Sequence, residues 1–173
     1  MKTRTIFILF FSVGLLTALS AVTFSCGDSK NTEPDELIGA WKGKVQFRTG
    51  MFAEVKDLEF MWVFNNGGTL TESSNYDGVP VVPPAYGIWK KTGDKQYEAR
   101  YEFYFTKMPD TYEDARKAGG FPPAGYGILI EKITLSDDGK SYKSTIKWDA
   151  FDQTGKQIIF GDVADAEAKL MEF

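Results

Sequence analysis

The sequence predicts an all-β domain: an antiparallel up-and-down barrel of eight or nine strands, with one short helix in its long loop. Three observations carry that expectation. From Leu37 onward apolar residues recur with period two, the spacing that places alternate side chains on one face of a strand. The alternating segments are joined mostly by short turns rich in Asn, Asp and Gly, which is how antiparallel neighbours connect. A meander of this kind also has two edges to hide, and closing it into a ring removes both. A two-sheet sandwich is the alternative. Sandwiches cross between sheets by longer connections, and this chain has only two long loops.

The first 25 residues stand apart. Lys2 and Arg4 give a positive start, residues 6–19 are an apolar run, and small residues lead to Ser25-Cys26. This is the pattern of a secretory signal. The ending resembles a bacterial lipoprotein signal, in which the cysteine becomes the lipidated first residue. Thr23 and Phe24 depart from the usual Leu and small residue before it. Cys26 is the chain's single cysteine, so no internal disulfide can form, and a lone thiol at this boundary suits lipidation better than an oxidising compartment. Ordinary cleavage near Ser20 or Ala21, or an uncleaved anchor, are the alternatives. The expected organisation is a signal peptide over 1–25, a lipidated Cys26 with a flexible tether over 26–36, and the barrel domain over 37–173. The domain would then be exported to the cell envelope and held at a membrane by its acyl chains.

In the domain, residues 37–48 alternate, with Trp41, Gly43, Val45 and Phe47 on one face. Residues 55–65 bring together Leu58, Phe60, Trp62 and Phe64, and Asn65-Asn66-Gly67-Gly68 turns the chain, since Asn and Gly tolerate positive φ. Residues 69–74 form the next strand. Three prolines make 75–85 a loop, and 86–92 a short strand. Residues 96–106 alternate most clearly, with Tyr97, Ala99, Tyr101, Phe103 and Phe105 together. Residues 107–125 break the rhythm, with a short helix expected over 110–118. Residues 126–136 return to strand, and the apolar pairs Ile128/Ile130 and Ile133/Leu135 differ in phase, which predicts a β-bulge near Glu131-Lys132. Residues 141–152 align Tyr142, Ile146, Trp148 and Ala150, and 157–173 supply one last strand or a pair, with Ala164, Ala166, Ala168 and Leu170 on a narrow apolar face.

Composition narrows the chemistry. The chain has no histidine, which removes Ser-His-Asp triads, Cys-His pairs and His-ligated metals. Without residues 1–25 it carries 18 basic and 24 acidic residues, net −6, the wrong sign for nucleic acid. The Asp-rich turns at 137–139 and 152–155 lack the alternating oxygen ligands of a calcium loop. No metal and no cofactor are expected.

Gly39-Ala40-Trp41 opens the domain, and three further segments join it: Gly67-Gly68-Thr69-Leu70-Thr71-Glu72, the stretch 86–93, and the stretch 133–139. Together they resemble lipocalins and other calycins, in particular small exported lipocalin-like bacterial proteins of unassigned function. The resemblance implies that Trp41 closes one end of the barrel. It further implies a basic residue near the last strand stacked on that indole, for which Lys169 is the nearest candidate. Lysine replaces the usual arginine and stacks less well. It implies binding or surface display and names no ligand.

The inward rings Phe60, Trp62, Trp89, Tyr101, Phe103, Tyr142 and Trp148 are the candidate ligand-binding residues, together with Glu72. They either line a pocket for an apolar or amphipathic molecule or simply fill the barrel, the blander account. Gly43, Gly87, Ala99 and Ser144 would leave room. Phe121, Tyr126 and the 75–85 loop would form the rim. Glu72 shares the face of Leu70; pointed inward it would need a partner or a raised pKa, although a solvated place at the rim is the simpler expectation. Three functions compete: a tethered binding module, a scaffold with a filled barrel, and, last, a carboxylate/tyrosine enzyme.

Overall fold

In the computed structural model, which describes residues 35–78 and 80–173, the meander closes. Eight antiparallel strands run in sequence order around the ring: β1 (Gly39–Phe47), β2 (Glu59–Phe64), β3 (Thr69–Ser74), β4 (Ala85–Gly93), β5 (Gln96–Thr106), β6 (Pro123–Leu135), β7 (Ser141–Asp152) and β8 (Gln157–Leu170). The seam joins β1 to β8 from Trp41↔Leu170 to Phe47↔Ala164. The expected signal, Cys26 and nearly all of the expected tether lie outside the described residues. Among the described residues no helix is long and apolar enough to cross a membrane.

The strands follow the two-residue period except where β8 changes phase between Ile159 and Ala164, and the inner set packs as one core. Trp41, Trp62, Tyr97, Tyr101, Tyr142 and Ile146 are among its largest fully buried members, with Ala164, Ala166 and Ala168 giving them room along β8. Small residues opposite large ones let rings interdigitate inside a narrow barrel. Gly43 and Gly87 do not leave the free space expected of them. A Cβ on Gly43 would stand 2.7 Å from Ala168 Cα, and one on Gly87 2.6 Å from Tyr101 Cα. These glycines let neighbouring backbones approach closely.

The two ends differ. At one end, turns of a few residues link β2–β3, β4–β5 and β6–β7; Gly67 and Gly68 take φ of 95° and 85° there. At the other, longer segments link β1–β2, β3–β4 and β5–β6. The last holds the helix α1 (Tyr112–Ala118), capped by the Thr111 side chain at its start and by left-handed Gly119 at its end.

Two expectations change, and one left open is resolved. No bulge interrupts β6 at Glu131-Lys132: pairing with β7 is continuous from Gly125↔Asp152 to Leu135↔Tyr142. Leu129, Glu131, Ile133 and Leu135 all face in, so Ile128 and Ile130 belong to the outer face. The irregularities lie instead at Phe105/Thr106 of β5, at Lys91/Gly93 of β4, and between Trp148 and Phe151 of β7. The last segment is one strand rather than a pair, and it passes the β7 irregularities with Gly161 at φ 73°. The second strand starts at Glu59 rather than residue 55, because a turn closes with Val55 N–H donating to Phe52 O at 3.0 Å.

Candidate ligand-binding cavity

The short-turn end is plugged. Trp41 is fully buried, its indole N–H donates to Leu37 O at 3.0 Å, and its ring meets Tyr142 at 5.0 Å. Tyr142 in turn touches Trp62 and Phe64. Trp89 is half-buried beside Phe64 and Tyr97, donating to Asn65 O and Thr69 O. Trp41 thus closes one end of the barrel. Lys169 takes no part: Ala164, Ala166 and Ala168 face in, so Lys169 stands exposed on the outer face, paired with Lys42 across the seam. Parity along the strand forbids the expected stacking.

The long-loop end holds a cavity of about 500 Å³. Phe47, Phe60, Leu129 and Trp148 line it from the barrel, Phe103 and Phe105 from the end of β5, and Met51 and Phe52 from the β1–β2 connection. Tyr76, Pro80, Val82 and Pro83 form part of its rim, as expected of the 75–85 loop. Phe121 and Tyr126 do not line it; Tyr126 stacks on Phe151, 5.0 Å between centroids, at the β6–β7 pairing. The barrel is therefore filled in its plugged half and hollow in the other. Of the candidate residues, Phe60, Glu72, Phe103 and Trp148 border the cavity, Trp62 and Tyr101 lie in the packed core, and Trp89 and Tyr142 belong to the plug.

Glu72 is not solvated at a rim. It is 6% exposed, borders the cavity, and its Oε1 has no hydrogen-bond partner among the described residues. Register explains the placement: Glu72 pairs with Trp62 on one side and Ala85 on the other, both inward residues. Burial, reinforced by Asp77 and Glu131, pushes its pKa well above the usual carboxylate range.

A second buried acid was not expected. Glu131 is 0% exposed and accepts hydrogen bonds from Tyr101 Oη at 2.9 Å and Ser144 Oγ at 2.5 Å. Trp62 Nε1 extends the chain by donating to Tyr101 Oη at 3.4 Å. Burial raises the Glu131 pKa to about 7, and these donors hold it from rising further. Burial and the two acids together raise Tyr101 and Tyr142, which stay protonated. The signal for Glu131 was present: unbroken alternation from Leu129 to Leu135 turns it inward.

Chemically, the cavity offers a broad apolar wall, one buried carboxyl group without a partner, and Asp77, whose oxygens already accept from Ser74 N–H and Oγ. No Lys or Arg among the described residues lines it. Comparison of the sequence with protein-family models and with curated proteins returned no match.

Proposed function

We propose that this domain is a non-catalytic binding module, exported and held at a bacterial envelope membrane through Cys26, that takes a small apolar or amphipathic molecule into its barrel. The observation that supports the reading is the cavity of about 500 Å³, with the rings of Phe47, Phe52, Phe60, Phe103, Phe105 and Trp148 in its wall. Ligand sites of ~300–1,000 Å³ with apolar walls and a few polar groups are typical of small-molecule pockets. A scaffold gains nothing from such a void, since empty volume forfeits packing. The kinship with lipocalin-like exported proteins is part of the same proposal, carried by Gly39, Trp41 and the closed eight-stranded ring.

A second reading draws on the buried acid beside the cavity. A carboxyl with a raised pKa can act as a general acid near neutral pH. It would also need a base in reach of the substrate; Asp77, the other acid of the wall, has its oxygens engaged by Ser74, and neither Glu131 nor Tyr101 lines the cavity.

The experiment is mass spectrometry of organic extracts from purified protein, followed by titration of the emptied protein monitored by tryptophan fluorescence, Trp148 being the indole in the cavity wall. A stoichiometric small molecule, recovered intact, supports binding. An empty extract with unchanged fluorescence across apolar ligands overturns it.

A further inference from the structure

We infer that the cavity selects a ligand whose apolar body ends in a cationic, hydrogen-donating head, that is, an amine. This rests on the binding-module reading and adds the chemistry of the head group.

Glu72 Oε1 is a buried acceptor without a partner among the described residues. Such an atom carries the full cost of its lost hydration until a donor arrives. Asp77, the other acid in the wall, has its oxygens engaged by Ser74, so Glu72 is the open position. The acids facing Glu72 are Asp77 from the β3–β4 loop and Glu131 from β6, which holds its proton up to about pH 7, with the neutral hydroxyls of Tyr101 on β5 and Tyr142 on β7 nearby; no cation faces it among the described residues. With no Lys or Arg in the wall among the described residues, a ligand carboxylate would find no cation there, only the Glu72 O–H as donor and the Asp77 carboxylate against it. A hydrocarbon would leave Glu72 unsatisfied. An ammonium supplies donors and the missing positive charge, and the faces of Phe60, Phe103 and Trp148 favour a cation further. The indole N–H of Trp148, also without a partner among the described residues, lies over Gly127, so it does not argue for a ligand acceptor.

Binding then involves one proton. In the empty cavity burial keeps Glu72 as the neutral acid. When R–NH₃⁺ arrives, the Glu72 O–H bond breaks, its proton passes to buffer, and the carboxylate pairs with the ammonium.

The test uses the full chain in phosphatidylcholine vesicles, with empty vesicles as blank. Octylamine, octanol and octanoate share one tail and differ in the head. The expected order is octylamine tighter than octanol by tenfold or more, with octanoate weakest. Calorimetry at neutral pH in two buffers of different ionisation enthalpy should show up to one proton released per octylamine bound. Glu72→Gln should abolish that release and bring octylamine and octanol to equal affinity. If octanol or octanoate binds as well as octylamine to the unaltered protein, the amine inference fails while the binding module stands. If none of the three binds, both fail. The series on the unaltered protein decides the matter even if Glu72→Gln does not fold.

Discussion

Replacing Glu131 with Gln should remove a defined part of the pH dependence of stability. An unfolded chain releases this proton near 4.5, and the folded one holds it to about 7. Between those values the folded state binds more protons than the unfolded, so stability falls as pH rises. Integrated over the window, the loss is about 3 kcal/mol. Glu72 acts with the same sign, and its window also opens at the ordinary carboxylate value. Asp138 and Asp152 act oppositely: hydrogen bonds lower their pKa, so their contribution is lost only as pH drops below the usual Asp range. Through Glu131 and Glu72, stability should therefore decline as pH rises above about 4.5. The substituted amide keeps the volume and can still meet Tyr101 and Ser144, but it carries no titrating proton. Urea unfolding followed by tryptophan fluorescence at about pH 5 and about pH 8 measures the difference. Glu131→Gln should lose roughly 2–3 kcal/mol less than the parent between those conditions. Parallel losses in the two proteins would refute the claim that Glu131 is buried with its proton.

Glu72→Met should stabilise the protein at neutral pH by about 1–3 kcal/mol, since it removes an unpaired buried acceptor; thermal unfolding should rise by ~2–4 °C for each kcal/mol. Ala85→Phe places a ring in the cavity wall, where Ala85 is buried; circular dichroism should stay that of the parent while ligand-induced fluorescence change disappears. Gly43→Val drives a branched side chain against Ala168 at the seam and should cost on the order of 1–3 kcal/mol, read as an earlier urea midpoint with an unchanged slope.

The architecture was legible because it rests on parity. β1, β5 and β7 each carry apolar residues on one face and mostly polar ones on the other, so their inward sets follow from counting; β2 keeps Phe60, Trp62 and Phe64 inward although Met61 and Val63 stand outside. β6 defeated the count because both its faces are apolar: Ile128 and Ile130 lie outside, Leu129 and Ile133 inside. Reading the isoleucines as one inward set created a false bulge and hid Glu131. Lys169 could have been excluded from the sequence, since the same alternation that turns Ala166 and Ala168 in turns it out. The rim obeys no period. Met51 and Phe52 reach the cavity through a loop whose path depends on tertiary contacts, as Phe52 does by packing 5.6 Å from Trp148, and no local pattern announces that. Glu72 was visible as a position but not as a buried one, because depth along a barrel depends on register across three strands.

The unequal connections at the two ends have a kinetic consequence. Short turns and interlocked rings at the plugged end should open only with global unfolding, whereas long segments with few buried side chains fluctuate at little cost. If the proposed binding holds, a guest molecule would depart by local breathing of the 48–58 and 75–84 segments while the seam between the first and last strands stays zipped. Its dwell time would track the mobility of those segments, and changes that stiffen them would lengthen occupancy without altering the melting temperature.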